Sequence, residues 1–255
     1  MTQRLAPCVL VLLLMATAAA DDDAKPQRWR QTVVIPAMQA NQAAAADERF
    51  AYAVDNQTVA KYDRETGNLV AESRGAAKHL NSAFLHAGKL YCAHSNYPRM
   101  PEQSEIKVLD PETMELSTFK DFGNFGGSLT WAVLANDHWW CNFARYGEKN
   151  AETFLVKFDD KWKEVGRWTY PPELIKKLGT YSVSGGIWQK DSLLVTDHDH
   201  GVLYEMRLPE QGSGLDLVGS RTAPFTGQGI ALDPKTDGLV GINRGKKQIV
   251  FAELE

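Results

Sequence analysis

The chain has 255 residues, 44% of them hydrophobic and 24% charged, with a formal net charge of -4. That is apolar material for one full core or two small ones. The longest run of like charge is Asp21-Asp22-Asp23, which excludes an electrostatic grip on nucleic-acid phosphates, since that needs a basic face.

The first twenty residues read as a cleaved secretory signal. Arg4 supplies a positive start, Cys8 to Met15 (CVLVLLLM) an apolar run, and Ala18-Ala19-Ala20 a small-residue cleavage pattern before Asp21. The apolar run is too short to span a bilayer, which needs about 20 residues, and no later stretch is longer. Export to a periplasmic or extracellular space, without membrane insertion, is therefore expected. Residues 21 to 28 (DDDAKPQR) read as a flexible leader, and 29–255 as one domain.

Trp29 to Ile35 (WRQTVVI) reads as a strand, and a repeat then begins. Its first part is a polar or small-residue entry, at Gln42, Asn81, Thr130, Ser184 and Gln228. An aromatic or aliphatic strand follows: Phe50 to Val54, Leu90 to His94, Trp139 to Phe143, Leu193 to Thr196 and Leu239 to Ile242. A third strand commonly closes on an acid: Val59 to Asp63, Ile106 to Asp110, Phe154 to Asp159, Val202 to Arg207 and Gln248 to Ala252. Asp-rich turns such as DRETGNL and DPETMEL lead into a fourth strand.

The five entry residues are separated by 39, 49, 54 and 44 positions. A period of roughly 40–50 residues with four strands per repeat is the signature of a β-propeller. The fifth repeat lacks a fourth strand, and Trp29 to Ile35 lacks a repeat. An all-β, five-bladed propeller of four-stranded antiparallel blades, closed by its own N-terminal strand, is the expected fold. A sandwich and a six-bladed ring with one degenerate blade are the competitors.

One helix is expected, over Pro171 to Gly179, from proline at its start, late lysines and a closing glycine. Cys92 and Cys141 occupy the same register of two repeats (KLYCAH and HWWCNF), about a sheet spacing of 10 Å apart. A disulfide needs Cα atoms within about 7 Å, so two buried free thiols are expected.

The loops at one end of the ring are short: Asp47-Glu48, Ala87-Gly88, Asn136-Asp137, Lys190-Asp191. The other end carries the insertions, Tyr97 to Ser104, Tyr146 to Glu152 and the Pro171 helix. Long loops on one face of a rigid scaffold usually carry function. That face gathers His79, Asn81, His94, Asn142, Arg145, His198, Gln228, Asn243 and Arg244, the expected ligand-binding set.

Three readings compete there. Asp197 and Asp199, with His94 or His79, could hold a divalent cation that polarises a carbonyl or activates water; against it, Asp-His-Asp-His is an ordinary solvated turn. A histidine oriented by Asp197 or Asp199 could act as a general base, with Arg145 or Arg244 holding an anionic substrate group. No Gly-x-Ser-x-Gly elbow accompanies it, and Ser182 and Ser184, in SVSGG, are better explained as small residues at a crowded ring centre. Third, the rim could bind a small polar ligand or a protein without turnover, with Tyr97, Trp131, Trp140, Tyr146 and Tyr181 stacking on it, although propeller blades also use Trp and Tyr for packing.

The segments Tyr52 to Asn56, Ala60 to Asp63 and Thr66 to Leu69 resemble blades of small propellers of the glutaminyl-cyclotransferase-like, gluconolactonase/regucalcin-like and quinoprotein-like groups. Phe225 to Ala231 (FTGQGIA) is similar to entry strands of the first group. The resemblance implies the fold and, as an alternative function, a metal-assisted lactonase or a cyclase with its site at the channel mouth. The first group usually has an acid where Gln228 stands, and the second needs one early in the first entry strand, where Asn41 to Ala46 offers none. No catalytic signature is complete. Non-catalytic binding therefore ranks first, by a monomer.

Overall fold

The structure, a computed structural model, describes residues 28–255; the expected signal segment and nearly all of the leader lie outside them. Five antiparallel sheets form a ring. Blade one comprises Ala43–Ala46, Phe50–Val54, Val59–Asp63 and Leu69–Glu72. Blade three comprises Ser128–Ala135, His138–Ala144, Phe154–Phe158 and Glu164–Thr169. Blade four comprises Gly185–Gln189, Ser192–Thr196, Val202–Arg207 and Asp216–Thr222.

Blade two differs at its inner edge. Lys89–Ser95, Ser104–Asp110 and Glu115–Gly123 are regular, but the innermost strand is broken into His79–Leu80 and Phe84–His86. Both pieces pair with Lys89–Ser95. The interruption, Asn81 to Ala83, faces the channel. Blade five takes Ala231–Leu232, Leu239–Asn243 and Gln248–Leu254 from the end of the chain and Trp29–Pro36 from its start. Val34 faces Val250 and Ile35 faces Ile249 in that antiparallel pair. Arg28 and Glu255 exchange backbone hydrogen bonds of 3.2 and 3.0 Å. The ring is five-bladed and closed by the N-terminal strand, as the repeat pattern predicts.

Ring geometry explains the composition of the inner strands. They crowd together at the axis, so only small side chains fit. Ala43, Ala44, Ala45 and Ala46 are all at most 1% exposed. A Cβ on Gly185 would lie 2.3 Å from the Gln228 carbonyl oxygen, and one on Gly186 2.5 Å from the Trp131 ring. The SVSGG segment is therefore a packing device. Trp131 and Trp140 are 0% and 3% exposed; both pack in the core and neither is a stacking platform.

Cys92 and Cys141 are free and buried. The helix forms over Pro172–Leu178 and closes at Gly179, with φ +65°. A second helical segment, the 3-10 turn Gly147–Glu152, was not expected from the sequence. It is held by Asn150, whose Nδ2 donates to the Gly179 and Tyr181 carbonyls, a long-range bond that no local pattern reveals. Two hairpins of the short-loop end have positive φ at both central residues, Ala87 (47°) with Gly88 (75°) and Asn136 (50°) with Asp137 (59°), the geometry that matches strand twist. Among the described residues no helix is long and apolar enough to cross a membrane.

Candidate functional site

The five entry residues that define the repeat, Gln42, Asn81, Thr130, Ser184 and Gln228, all line one cavity of about 170 Å³ at the long-loop end. Each blade supplies one of them. The cavity is thus a direct product of the period: equivalent positions in five repeats converge on the axis. All five are uncharged. Gln42, Asn81, Thr130 and Gln228 are between 3% and 6% exposed.

Most of these groups spend their donors on backbone carbonyls. Asn81 Nδ2 donates to the Leu129 carbonyl at 2.8 Å, Thr130 Oγ1 to Val183 at 2.8 Å, and Gln228 Nε2 to His198 at 2.8 Å. A carbonyl can only accept, which fixes both amides with their oxygens turned away from those bonds. The Asn81 and Gln228 amide oxygens have no protein partner among the described residues and belong to side chains lining the cavity. The floor therefore offers acceptors.

Two arcs of side chains rise above it. On one side His79 packs on Tyr97 (ring centroids 5.3 Å) and Tyr97 on Tyr146 (4.9 Å). On the other, Tyr181 stacks on His198 at 4.0 Å with ring planes 9° apart, and Arg244 lies next to His198. Arg244 Nη1 is 3.2 Å from His198 Nε2, and Nε donates to Asn41 Oδ1 at 3.1 Å. Because a guanidinium only donates, His198 Nε2 accepts. Its proton then sits on Nδ1, 2.7 Å from Asp199 Oδ2. Asp199, His198 and Arg244 form one chain that holds the guanidinium at the rim. No Asp or Glu lines the cavity.

His79 is held neutral. Burial, followed by the nearby His94 and the Arg244 charge, pushes its pKa down to about 4. At neutral pH it is a hydrogen-bonding group and a weak base. Burial likewise raises the pKa of the Tyr146 phenol.

The expected ligand set is thus partly assembled. His79, Asn81, His198, Gln228 and Arg244 line the cavity. Asn142 lies beneath it, 0% exposed, donating to Thr130 Oγ1 at 2.8 Å and accepting from the Tyr170 hydroxyl at 2.8 Å. His94 turns sideways within blade two: its Nε2 accepts from the Lys78 backbone at 2.8 Å and its Nδ1 is 3.0 Å from Glu105 Oε1. Arg145 bonds the Gly126 carbonyl at 2.6 Å, and Asn243 Oδ1 accepts from the Lys246 backbone within its own turn at 3.1 Å. None of these four lines the cavity.

The acids expected as metal ligands are engaged within their own loop. Both Asp197 oxygens are taken by its own loop, Oδ1 by the His200 backbone (2.9 Å) and Oδ2 by His200 Nδ1 (2.5 Å). Asp199 serves His198. Among the described residues no three His, Cys, Asp or Glu side chains are grouped to hold a metal ion. Sequence reading missed Asn41, whose oxygen takes both Arg244 and Lys247 (3.2 Å) and whose Nδ2 donates to Asp55 at 2.9 Å. An asparagine outside the strands gives no signal of that role.

No protein-family model and no curated protein matches this chain. Among solved structures it is similar to the glutaminyl cyclase of Myxococcus xanthus, with 11% identity and a TM-score of 0.63, covering 90% of this chain and 97% of that one. It is also similar to the Cps50 (Swd1) β-propeller domain of Myceliophteria thermophila, with 11% identity and a TM-score of 0.48, covering 89% and 99%. At such identities the likeness shows the β-propeller fold alone.

Proposed function

We propose that this propeller binds, at the mouth of its channel, a small polar molecule that carries one carboxylate and at least one hydroxyl or ammonium group. The observation that carries this reading is the pairing of opposed chemistries in one small space. Arg244 sits braced at the rim, and the floor presents the amide oxygens of Asn81 and Gln228. A guanidinium favours a carboxylate, and bare amide oxygens favour a hydroxyl or ammonium donor. A volume of about 170 Å³ is below the roughly 300–1,000 Å³ of pockets that take drug-sized ligands, so the occupant has the size of a hydroxy acid or an amino acid. Tyr97, Tyr146 and Tyr181 line the same cavity and offer apolar faces to the ligand's carbon skeleton.

Binding without turnover fits the groups present, since His79 is too weak a base and no carboxylate faces the cavity. Calorimetric titration of the protein with a panel of two- to five-carbon hydroxy and amino acids tests the reading. Saturable 1:1 binding by one class, lost in Arg244→Ala, is the expected result. Binding that ignores Arg244→Ala, or none across the panel, defeats it.

The alternative is an exported cyclase- or lactonase-type enzyme with its site at the same mouth. It is favoured by the architecture shared with the Myxococcus xanthus glutaminyl cyclase and by a neutral imidazole, His79, in the cavity. Turnover of N-terminal glutaminyl peptides or of a sugar lactone, lost in His79→Gln, would establish it.

A further inference from the structure

The channel-mouth cavity holds more hydrogen-bond acceptors than one hydroxyl can satisfy. Asn81 comes from blade two, Ser184 from blade four and Gln228 from blade five, and all three line it. With their amide nitrogens committed to the Leu129 and His198 carbonyls, Asn81 and Gln228 keep Oδ1 and Oε1 free. Neither oxygen is walled off. Among the described residues, the unpartnered side-chain atoms sealed from solvent are three indole nitrogens, the Ser82 hydroxyl and His94 Nδ1. The half-buried Ser184 donates its hydroxyl proton to the Ser182 carbonyl at 3.3 Å, which leaves its oxygen to accept.

Gln228 is placed there against local preference. Its φ is +70°, a left-handed conformation that costs energy for any residue but glycine and that tends to persist where function needs it. Three bonds hold it: its backbone N–H donates to the Asp197 carbonyl at 2.9 Å, its carbonyl accepts from Thr196 Oγ1 at 2.5 Å, and its side chain donates to His198. One acceptor of the floor is therefore rigidly positioned.

The charge around the mouth does not call for a net anion. Arg244 and Lys247 both donate to Asn41 Oδ1, and Asn41 Nδ2 donates to Asp55. Arg244 also leans on His198, which is bonded to Asp199. Two cations are thus matched by two carboxylates, and the buried Asp197, next to Gln228, adds a third. Arg244 Nη2 has no partner among the described residues and is free to meet a carboxylate, while a cationic group elsewhere on the same ligand is compensated by these acids.

We infer that the ligand is a small amino acid in its zwitterionic form, with its carboxylate on Arg244 and a primary ammonium group among the oxygens of Asn81, Ser184 and Gln228. The inference rests on the channel-mouth binding proposed above and narrows it. A hydroxyl has one proton and leaves two of these acceptors unmet; an ammonium has three protons and makes charge-assisted bonds.

The test is calorimetric titration of the full chain at neutral pH with matched pairs: glycine and glycolate, alanine and lactate, β-alanine and 3-hydroxypropionate, γ-aminobutyrate and 4-hydroxybutyrate. In any pair that binds, the amino member is tighter by about tenfold or more. N-methylation of that amino acid keeps the positive charge and removes the donors one at a time, so affinity falls stepwise to the trimethylated form. Gln228→Met and Asn81→Leu each narrow the preference for the amino member, with far-UV circular dichroism to confirm folding; the N-methyl series needs no variant. A hydroxy member that binds as tightly overturns the inference and leaves the Arg244-dependent reading standing. So does a trimethylated form that binds better than its parent, the result expected of a cage made by Tyr97, Tyr146 and Tyr181. Absence of binding by every pair defeats both.

Discussion

Tyr181 lies flat on His198, 4.0 Å away and within 9° of parallel, so a residue just past the helix fixes the imidazole that in turn accepts from Arg244. The order of dependence is ring, imidazole, guanidinium. His198→Ala removes the Nε2 acceptor that holds the Arg244 guanidinium at the rim. If the proposed ligand carboxylate pairs with Arg244, its affinity falls by about tenfold to a hundredfold, the worth of a hydrogen bond to a charged group, with unchanged thermal stability. Calorimetry on His198→Ala and Tyr181→Ala reads this out, and an equal drop in stability would mark the pair as structural.

Arg64 grips Asp233 with two bonds of 2.8 and 2.9 Å across the seam between blades one and five. Their side chains are 10% and 3% exposed, and the guanidinium also lies 4.3 Å over the Phe251 ring. Asp233→Ala leaves a buried charge without its partner and costs about 3–5 kcal/mol. The double variant with Arg64→Met recovers much of that loss. Urea midpoints of the single and double variants check it; equal losses would mean the pair is solvated.

Tyr170 and Asn142 offer a separation of structure from binding. Tyr170→Phe leaves the buried Asn142 oxygen without a donor, at a cost of about 1–3 kcal/mol. Ligand affinity at the channel mouth stays the same, because neither residue lines the cavity. A loss of affinity without a loss of stability contradicts that placement.

Acid weakens the fold in two steps. His79 titrates at about 4 in the folded chain against 6.5 ordinarily, so the unfolded state binds more protons between those values and stability falls as the pH drops through them. Glu105, held at about 2 against 4.5 by its hydrogen bonds from His94, Thr118 and Lys107, loses its contribution from about 4.5 downward. Urea midpoints from about pH 7 to about pH 4 decline less steeply in His79→Gln. Parallel curves would show that His79 is not the group responsible.

Burial pushes the Cys92 thiol up to about 12 and raises that of Cys141 as well. Neither reacts with a disulfide reagent such as Ellman's in the folded protein, since the thiolate is the nucleophile. Both react in denaturant. Fast labelling of the native chain would show an opening near the ring centre.

Strand positions were legible because short apolar runs stand between Asp- or Gly-bearing turns, and Phe50 to Val54 and Val59 to Asp63 form with the expected bounds. Ring closure was legible as a strand without a repeat and a repeat without a strand. Within the site, the entry residues converge because the period places them at one radius. The rim residues diverge because a loop side chain can turn inward, sideways or back on its own backbone. His198 turns in, His94 turns toward Glu105, and Asn243 caps its own turn. Such choices depend on which neighbours the fold brings up, Arg244 of another blade for His198 but Glu105 of its own blade for His94, and the spelling of the loop does not encode them.

The pairing of Trp29–Pro36 with Gln248–Leu254 also sets an order in time. During synthesis Trp29–Pro36 can find its partner only after Gln248–Leu254 has been made. Until then Trp29–Pro36 is a strand without its partner, a state that invites pairing with other chains. Any machinery that keeps the unfinished chain extended until its end is free guards against that risk.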